Sequence, residues 1–439
     1  MSPEKALGSW GRYPAFPQQG RPIYWPDNVS QALDDATRES PVLAYGCGRS
    51  YGDSCMAVSD HVLVMSAMNR ILSADWSTGV VVAEAGLTLA DLIRVVLPRG
   101  WFLSVTPGTK FVTLGGAVAN DVHGKNHHVM GTFGRHVRKL TLHRSTEGTV
   151  TVSPVERPEL FAATVGGLGL TGVILTVEIQ LRPVTSSDVE QSSIRFECLN
   201  EFFDLAAAHD LENEYTVAWI DCVKTGKNSG RGFYVIGNHA AKGELAAGRP
   251  DAMRFPIDPA VSLINSFTLR AFNFLYYHRQ LRTRMVRQLH YDQFFYPLDR
   301  VLLWNRIYGR PGFQQYQCVV PHINGREVIR SVLSEIARSG TGSFLAVLKQ
   351  CGALPSPGLI SFPLHGVSLA LDFPQRTQLN QRLFANLDAL IHEAGGRLYP
   401  AKDAHMSAVH FQRAYPAWER VEALRDPRLL SRFWQRVTQ

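Results

Sequence analysis

The sequence predicts an α+β protein organised in two domains. Its 439 residues exceed what one simple hydrophobic core usually holds together. The first part of the chain alternates short strand-like runs with three glycine-rich loops, each of which lies beside a strand. From Thr185 onward such loops stop, and antiparallel-type strands and two long helical patterns take their place. These observations predict a loop-rich domain joined to a second, antiparallel-sheet domain.

The composition is that of an ordinary folded protein with an excess of positive charge. Hydrophobic residues make up 45% and charged residues 19% of the chain, which excludes a disordered polypeptide. The net charge of +7 favours anionic partners such as phosphates, nucleic acid or acidic lipid. The six cysteines are scattered without a Cys-x-x-Cys pair, which argues against a zinc site or a disulfide framework and suits a reducing cytoplasm.

No segment of the sequence has the features of a membrane or export signal. Residues 1–20 lack an apolar core of signal-peptide length, and no uninterrupted apolar run is long enough to cross a bilayer. We therefore expect no signal peptide and no transmembrane helix, with the protein cytoplasmic or peripheral on the inner face of the cell membrane.

The first predicted elements lead into a loop suited to phosphate binding. Pro26 and Asp27 introduce a helix over residues 28–38, and residues 41–45 form a short buried strand. The strand continues into Gly46-Cys-Gly-Arg-Ser-Tyr-Gly-Asp53, whose backbone N–H groups can face phosphate oxygens. Arg49 adds a fixed positive charge and Ser50 a hydroxyl donor. The spacing matches neither a Walker loop nor the dinucleotide Gly-x-Gly-x-x-Gly motif, so a purely structural loop is the alternative.

The chain then continues through further strands and short helices. Strands are predicted over residues 59–68 and 80–84, and Thr88 is the predicted N-cap of a helix over 89–97, with Asp91 at the capping-box position. The three glycine-rich loops of this part of the chain together favour a ligand pocket lined by backbone more strongly than any one of them does. The later elements of this part are a strand over 137–143, a short helix over 159–163, the third glycine-rich loop over 164–172 and a strand over 173–181.

The stretch over residues 107–128 lies at the centre of this loop-rich part. Pro107 and Gly108 form a turn, Gly115-Gly116 leave no Cβ in the way of a ligand, and the small residues 117–119 can begin a closely packed helix. This pattern predicts a backbone that lies against a flat or anionic ligand, with a titratable imidazole nearby. The alternative is a glycine-rich connection with surface histidines. The polar groups of its last loop are His123, Gly124, Lys125 and Asn126.

The second half of the chain is read as a sheet with covering helices. Strands are predicted over residues 215–223 and 315–321, and helices over 324–338 and 376–393. Between them, residues 259–290 form a basic amphipathic stretch, which can lie on an anionic membrane surface or pack as a helix with a solvated charged side. Its apolar helical face comprises Ile264, Phe267, Ala271, Phe274 and Leu275, and its arginines are Arg270, Arg279, Arg282, Arg284 and Arg287.

Several motifs together resemble a known family of flavoproteins. The glycine-rich motifs of this chain resemble those of the FAD-binding fold of the vanillyl-alcohol-oxidase type. These motifs are Gly46-x-Gly-Arg-Ser-Tyr-Gly-Asp53, Pro107-Gly-Thr109, Gly115-Gly116, Asp121-x-His-Gly124 and Gly169-Leu-Thr-Gly172. More closely, the chain resembles the decaprenylphosphoryl-β-D-ribose 2′-oxidase family nearly end to end. The motifs that carry this closer resemblance are Asp121-Val-His-Gly-Lys-Asn-His-His128, Trp304-Asn-Arg, Gln315-Tyr-Gln317, Asp372-Phe-Pro and Gly396-Arg-Leu-Tyr-x-Ala-Lys402-Asp.

The resemblance implies a domain arrangement and an activity. A two-part FAD-binding domain would comprise residues 1–184 and 396–439, with an antiparallel-sheet substrate domain inserted as residues 185–395. The implied reaction is FAD-dependent oxidation of the 2′-hydroxyl of a polyprenyl-phosphate-linked pentose to a 2′-keto sugar. This is the first half of a ribose-to-arabinose epimerisation for cell-wall biosynthesis, which a separate short-chain reductase would complete.

Two other functions are weighed against this one. The first is a soluble sugar-alcohol or aldonolactone oxidase that uses dioxygen, although such oxidases end in a His-Trp-Gly-Lys motif that this chain lacks. The second is a non-catalytic, flavin-binding partner of a glycosyltransferase complex, against which the presence of Lys402 and His123 argues. Nucleic acid, which charge alone would favour, is not expected as a partner, and no metal is expected.

The resemblance also implies which residues form the site. Lys402 matches the family's active-site lysine. It would stabilise the developing alkoxide or accept the proton of the sugar hydroxyl. The alternative is a surface lysine paired with Asp403. His123 is the second catalytic candidate, with a structural role as its alternative. The substrate would contact Trp219, Phe295, Gln315, Gln317, Lys349 and Lys402. FAD would contact Gly46, Gly48, Arg49, Ser50, Tyr51, Gly52, Thr109, Gly115, Gly116, Asn120, Val122, His123, Gly124, Gly169, Gly172, Ile174 and Tyr399.

Two positions depart from the patterns of related proteins. The family's Gln-Phe-Tyr-His-Pro-Leu-Asp segment reads Gln293-Phe-Phe-Tyr-Pro-Leu-Asp299 here, so a tyrosine hydroxyl is replaced by Phe295 or displaced to Tyr296. Arg49 stands where related alditol and aldonolactone oxidases carry a histidine that bonds covalently to the flavin. Because arginine cannot form that bond, non-covalent FAD is implied.

Overall fold

A computed structural model of the chain describes residues 7–37, 39–248 and 252–439. Its strands are β1 Gln19–Pro22, β2 Leu43–Tyr45, β3 His61–Val64, β4 Ile71–Asp75, β5 Val80–Glu84, β6 Trp101–Phe102, β7 Val137–Arg144, β8 Gly148–Val152, β9 Val173–Gln180, β10 Arg182–Pro183, β11 Asp188–Phe196, β12 Tyr215–Ile220, β13 Gly232–His239, β14 Met253–Arg254, β15 Arg284–His290, β16 Val301–Leu302, β17 Phe313–Pro321, β18 Val347–Cys351, β19 Gly366–Pro374 and β20 Arg397–Leu398. Its helices are α1 Pro26–Asp35, α2 Leu89–Val96, α3 Leu114–Ala119, α4 His127–Met130, α5 Pro158–Thr164, α6 Leu199–His209, α7 Ser266–His278, α8 Tyr291–Phe295, α9 Gly325–Ser339, α10 Thr377–Glu393, α11 Ala408–Ala414, α12 Trp418–Ala423 and α13 Arg432–Thr438.

Three sheets lie in the N-terminal part of the fold, and the smallest pairs β6 with β10. The strands β1, β3 and β2 make a parallel sheet, whereas β4, β5, β9, β7 and β8 make an antiparallel one. Alternation along β9 explains its orientation, because Val177 and Ile179 are buried while Glu178 between them is half-buried. Leu92 of α2 and Val118 of α3 join the same hydrophobic core. This core supports the glycine-rich loops from below.

A further sheet, formed mainly by the second half of the chain, has eight strands that all pair antiparallel. Their order is β15-β11-β13-β12-β18-β19-β17-β20. One face is apolar, where residues such as Leu348, Leu369 and Cys318 pack with α6, α9 and α10 in one core. Side chains alternate along a strand and directly paired residues share a face, so the intervening residues point to the other side. The registers place these residues on that second face: Trp219, Gln315, Gln317, Lys349 and Asp372.

The C-terminal segment returns to the N-terminal part of the chain. Arg436 of α13 makes ion pairs with Asp53 at 2.8 Å and with Asp403 at 2.9 Å. Ser431 pairs with Ala57 in an isolated bridge, and Trp434 is fully buried. These contacts support our proposal that residues 1–184 and 396–439 form one domain and that residues 185–395 form the inserted one. β20 lies just beyond the second boundary and nevertheless pairs with β17, so the last segment contacts both parts.

Several predicted elements are confirmed, among them the helix that Thr88 caps. The Thr88 hydroxyl oxygen accepts from the backbone N–H of Asp91 at 3.1 Å. Other bounds differ from prediction. α1 begins at Pro26 and ends at Asp35, and Arg38, the predicted end, lies outside the described residues. The predicted strand over 59–68 is confined to β3, followed by a 3₁₀ turn, and β4 was not predicted.

The basic stretch over residues 259–290 is not one helix. Only α7 is helical, Ile264 precedes it, and Arg284 and Arg287 lie on β15, an edge strand that pairs with β11. Residues 284–290 pair with β11 throughout, and this pairing overrides the apparent helical continuation. Among the described residues, every helix is too short or too polar to span a bilayer.

Candidate active site

The loop after β2 joins the two ends of the chain. The backbone N–H of Tyr51 donates to the carbonyl of Ala401 at 2.9 Å. A Cβ at Gly52 would collide with the carbonyl oxygen of Asp403, so only glycine permits this close approach. As a result the Lys402 ammonium lies 3.7 Å from the centre of the Tyr51 ring. The sequence predicted both residues for the site, and their contact depends on the return of the C-terminal segment.

The three glycine-rich loops converge on α3. A Cβ at Gly46 would stand 2.5 Å from the hydroxyl oxygen of Thr113, the N-cap of α3. The third loop is held on the opposite side, because the backbone N–H of Gly166 donates to the carbonyl of Val118 at 2.9 Å. Thr113 itself accepts from the Gly116 N–H at 3.1 Å. The pocket lined by backbone that the three loops predict is therefore centred on a single short helix.

Two features of these loops leave room and polarity for a ligand. At Gly169 nothing lies within 4 Å of an added Cβ, and at Gly116 only the Thr113 hydroxyl oxygen does. Arg49 stacks on Trp10, with the guanidinium carbon 4.0 Å from the ring centre. Its Nε is buried without a hydrogen-bond partner among the described residues. Burial lowers the pKa of Arg49, yet the group stays cationic and offers an unsatisfied donor.

His123 lies where the loop after α3 meets the eight-stranded sheet. Its Nε2 is 3.2 Å from Nε2 of Gln317, and its ring centre is 5.4 Å from that of Tyr399. Burial, and then the nearby Lys349, lower its pKa well below the usual range, so the imidazole is neutral at pH 7. With Gln317 donating to Nε2, the ring proton sits on Nδ1. That buried atom has no partner among the described residues and is a free donor.

Tyr399 ties the C-terminal segment to the same loop. Its hydroxyl donates to the carbonyl of Asn120 at 2.9 Å, and its backbone N–H donates to the carbonyl of Gln317 at 2.9 Å. The neighbouring Asp121 is fully buried and accepts from the Gly134 N–H at 2.8 Å and from the Ser361 hydroxyl at 2.5 Å. These bonds position Asn120, His123 and Tyr399 relative to one another.

Lys402 and Asp372 form the part of the site that can exchange protons. Asp372 is 1% exposed and accepts from Nε2 of Gln315 at 2.6 Å. Burial raises the pKa of Asp372 to about 7. Burial lowers the pKa of Lys402 to about 7, and the charge on Asp372 opposes that shift. Both groups therefore change protonation near neutral pH, which is the property that a general acid or base requires.

The interpretation of Lys402 as a surface lysine paired with Asp403 does not fit the structure. Asp403 is 3% exposed and accepts from Arg436 at 2.9 Å. His405 adds a second positive partner, and the Arg436 charge holds the pKa of Asp403 below its usual value against burial. Asp403 is thus paired with Arg436, whereas the Lys402 ammonium lies over the Tyr51 ring.

The remaining predicted substrate residues are distributed unevenly. Lys349 donates to the carbonyl of Gly124 at 2.8 Å, next to His123. Trp219 Nε1 donates to the carbonyl of Phe344 at 2.8 Å, and its ring lies 4.5 Å from that of Tyr276. Both share the sheet face that carries Gln315 and Gln317.

Phe295 is not brought into this group. It is 2% exposed, and its ring packs 4.8 Å from Tyr215 and 5.6 Å from Phe102. None of its aromatic neighbours is a predicted site residue. The neighbouring Tyr296 is also buried, and its hydroxyl lies 2.5 Å from that of Thr106. Phe295, which stands where the family has a polar residue, therefore packs in an aromatic core. Contact between Phe295 and the substrate stays a prediction.

The other predicted cofactor residues lie on the glycine-rich loops or directly beneath them. Thr109 donates to Asp299 at 2.7 Å, which joins the first domain to the sheet domain. A Cβ at Gly115 would stand 2.9 Å from that of Ala85, and one at Gly124 would stand 2.6 Å from the Thr106 carbonyl oxygen. Ile174 is buried in the core beneath. The positions that complete these walls are Gly48 and Gly172, both with positive φ, together with the half-buried Ser50 and Val122.

Asp372 was not predicted as a site residue, although its Asp-Phe-Pro motif was noted. A signal was present in the sequence. β19 reads Ser368-Leu-Ala-Leu-Asp372, and β17 reads Gln315-Tyr-Gln317, so small or polar residues alternate with large ones. A strand with large apolar side chains on one face and small or polar ones on the other buries the first face in the core. Its second face lies against a ligand or water. Pairing Gln315 with Asp372 required the register of the two strands.

Comparison with known proteins indicates which cofactor the chain binds. A family model described as "FAD binding domain" matches residues 26–153. Decaprenylphosphoryl-beta-D-ribose oxidase of Mycolicibacterium smegmatis is 35% identical, over 96% of this chain and 95% of the relative. L-gulonolactone oxidase of Scyliorhinus torazame is 32% identical over 38% of this chain and 37% of its own length. L-gulono-1,4-lactone dehydrogenase of Mycobacterium tuberculosis is 23% identical over 91% of this chain and 89% of the relative.

The pocket fits FAD by its own chemistry. Backbone N–H groups on glycine-rich loops and the unsatisfied Arg49 suit a pyrophosphate, and the open space at Gly116 and Gly169 admits a flat group close to the backbone. The near end-to-end match with the oxidase and the FAD-binding domain agree with this geometry. The chain therefore belongs to the decaprenylphosphoryl-β-D-ribose oxidase family of FAD-dependent oxidoreductases, which act on CH–OH groups.

Proposed function

We propose that this protein oxidises the 2′-hydroxyl of a polyprenyl-phosphate-linked pentose, of the decaprenylphosphoryl-β-D-ribose type, to the 2′-keto sugar. The observation that carries the proposal is the polar sheet face that brings Gln315, Gln317 and Asp372 together opposite Lys402 and His123. The similarity to decaprenylphosphoryl-beta-D-ribose oxidase over almost the whole chain supports the choice of substrate. The product would need a separate short-chain reductase to return it as the epimeric alcohol.

Oxidation of a secondary alcohol removes a hydride from carbon and a proton from oxygen. FAD, when bound, supplies the hydride acceptor. The chain's own residues must then receive the hydroxyl proton. Lys402 has a pKa of about 7, so a substantial part of the population carries a neutral amine at neutral pH. We assign the proton to its Nζ, with the ionised Asp372 favouring the ammonium that results.

Other residues would orient the sugar. The free Nδ1–H of His123 is a donor without an internal partner, and Gln317 fixes the opposite side of that ring. The Gln315 Nε2 donates to Asp372, and we assign its carbonyl oxygen to accept from a sugar hydroxyl. Fixed donors and acceptors of this kind convert binding energy into alignment of the reacting C–H bond.

The lipid tail of such a substrate requires access to a membrane, and α7 supplies a suitable surface. Phe267 is 79% exposed and Leu275 is 68% exposed on α7, and Leu281 after the helix is 83% exposed. Large exposed apolar groups gathered on one surface mark an interaction site. The exposed arginines of the same surface, Arg270, Arg279, Arg282, Arg284 and Arg287, would attract anionic lipid. We propose that this surface contacts the membrane peripherally.

The test of the proposed function is flavin reduction without oxygen. Anaerobic addition of farnesylphosphoryl-β-D-ribose, a short-tailed analogue, is expected to bleach the yellow absorption of the holoenzyme. Bleaching by L-gulonolactone but not by the ribosyl phosphate would favour the lactone oxidase instead. Absence of bleaching by either compound would favour a non-catalytic flavoprotein.

A further inference from the structure

Two ammonium groups beside the reacting cluster, a buried one on Lys349 and a half-buried one on Lys125, have no counter-charge among the described residues. Lys349 is 8% exposed and donates only to the Gly124 carbonyl, at 2.8 Å. Lys125 donates to the carbonyls of Phe294 at 2.7 Å and Phe295 at 3.2 Å. Within the described ranges neither lysine makes an ion pair with a carboxylate. Each ammonium has three N–H donors, so Lys349 keeps two donors and Lys125 one without a protein acceptor.

Such a pair is unfavourable in the free protein. A buried ammonium without a counter-charge is costly, and a second one nearby adds repulsion. Burial, and then the charge of Lys349, lower the pKa of Lys125 to about 7. His127 beside them is 2% exposed, and its buried Nδ1 has no partner among the described residues. Unsatisfied donors collected in one place indicate a site for an anionic, acceptor-rich ligand.

The position of the pair relates it to the reaction. Gly124, which accepts from Lys349, directly follows His123, whose ring contacts Gln317. Lys349 stands opposite Ser368 on β18 and β19, on the same sheet face as Gln317. A group bound between Lys125 and Lys349 would therefore lie next to a sugar that is held by His123 and Gln317.

We propose that Lys125 and Lys349 form an anion subsite that binds the phosphate group joining the sugar to its lipid. The inference rests on the proposed function in that the substrate is a phosphate-linked pentose. The subsite adds a recognition element beyond the amide and imidazole groups that orient the sugar. We expect it to discriminate against uncharged sugars and lactones, because the two lysines remain uncompensated when such a ligand binds.

The experiment measures binding of three probes to the holoenzyme by isothermal titration calorimetry. Farnesyl phosphate carries the anion without the sugar, methyl β-D-ribofuranoside carries the sugar without the anion, and farnesylphosphoryl-β-D-ribose carries both. The variants are Lys125→Met, Lys349→Met and the charge-preserving Lys349→Arg. Lys139→Met, which removes an exposed lysine on β7, is the matched control.

Each methionine variant is expected to bind farnesyl phosphate about ten- to a hundredfold more weakly, the range for one hydrogen bond to a charged group. Binding of methyl β-D-ribofuranoside and the retained amount of FAD should not change. Lys349→Arg should keep most of the farnesyl phosphate affinity, which separates loss of charge from loss of packing. Lys139→Met should behave as the unaltered protein does with all probes.

Three results would overturn the subsite. These are unchanged farnesyl phosphate affinity in both methionine variants, an equal loss of affinity for the uncharged riboside, or loss of FAD, which would place the cofactor's own phosphates at the lysines. The proposed function fails separately. If farnesyl phosphate binding depends on both lysines but farnesylphosphoryl-β-D-ribose does not bleach the flavin, the subsite stands and the assigned reaction does not.

Discussion

At the scale of single residues, the site consists of polar groups that the fold buries without fully pairing. Lys402 lies over the Tyr51 ring. Within the described part of the chain, the Asp372 carboxylate accepts only from the Gln315 amide, and Nδ1 of His123 has no partner. Burial brings the pKa values of Lys402 and Asp372 from far apart to about 7 each. Groups with this property are costly to the fold and useful to proton transfer, which is why they gather at functional sites.

Lys402→Ala is expected to abolish most turnover while FAD stays bound. Removing one oriented group at the reacting centre should lower kcat by about 10²–10³-fold, as loss of a transition-state hydrogen-bond donor does. Stopped-flow measurement of flavin reduction by farnesylphosphoryl-β-D-ribose gives the rate, and the visible spectrum gives the FAD content. Near-normal reduction in this variant would make His123 the leading catalytic candidate.

Asp372→Asn is expected to shift the pH dependence of flavin reduction to lower pH. The reactive form of Lys402 is the neutral amine, so the rate rises as pH passes through the lysine's pKa of about 7. The negative charge of Asp372 raises that pKa, and its removal lets the pKa fall further. The acid limb of the kcat profile should therefore move to lower pH. A limb that stays in place or moves to higher pH would show that Asp372 does not act on Lys402.

At the scale of elements, close contacts between loops and strands set the site geometry. The loop after β2 meets the N-terminus of α3, and the loop before β9 meets its C-terminal end, through a glycine position and backbone hydrogen bonds. The eight-stranded sheet contributes alternate residues from β12, β17, β18 and β19 on one face. α7 and β15 instead turn apolar and basic residues outward.

Gly52→Ala tests the contact between the first loop and the C-terminal segment. The added methyl group would meet the Asp403 carbonyl, so the two segments must separate. Overpacking of this kind typically costs about 1–3 kcal/mol and should also loosen FAD. Thermal unfolding and the FAD content of the purified variant measure both effects. Gly108→Ala is the control, because nothing lies within 4 Å of a Cβ there, and equal Tm values for the two variants would refute the contact.

The surface of α7 is expected to attach the protein to anionic liposomes at low salt and release it at high salt. Each engaged arginine contributes about 1 kcal/mol near such a membrane, so three would give reversible, salt-sensitive binding. Phe274→Asp with Leu275→Asp, or Arg279, Arg282 and Arg284 changed together to Glu, should weaken sedimentation with the liposomes.

The control for this experiment is Leu211→Asp, which removes a leucine that is 92% exposed elsewhere on the molecule. It should leave sedimentation unaltered. If both sets of α7-region variants sediment as the unaltered protein does, this surface has another partner and the membrane contact is wrong.

At the scale of the whole molecule, residues far apart in sequence meet at one site. The site brings together residues from both ends of the chain and from the eight-stranded sheet, namely Tyr51, His123, Gln317, Lys349 and Lys402. A hydrogen bond from Thr109 to Asp299 adds a further contact between distant segments. Anything that binds between these parts should stabilise all of them together.

FAD is expected to be bound without a covalent bond and to stabilise the folded chain. Arg49, which cannot form the covalent link, stacks on Trp10 at the pocket. Acid precipitation should leave the yellow colour in the supernatant, and colour retained in the pellet would contradict the prediction. Readdition of FAD at about 100 times its Kd should raise the free energy of unfolding of the apoprotein by about 2.7 kcal/mol, measured by thermal unfolding.

The sequence by itself determined the class of fold, the three glycine-rich loops and most of the residues that meet at the site. These signals are local, because glycine spacing, N-caps such as Thr88 and alternating strands act over a few residues. The family-type motifs around His123 and Lys402 extended this to the cofactor. The tertiary structure decided the contacts that depend on strand register and on the packing of the C-terminal segment against the N-terminal part. It paired Gln315 with Asp372, occupied Asp403 with Arg436 and buried Phe295 in an aromatic core. It also ended α7 at His278 and paired β15 with β11, because long-range hydrogen bonding outweighs a helical pattern of local residues.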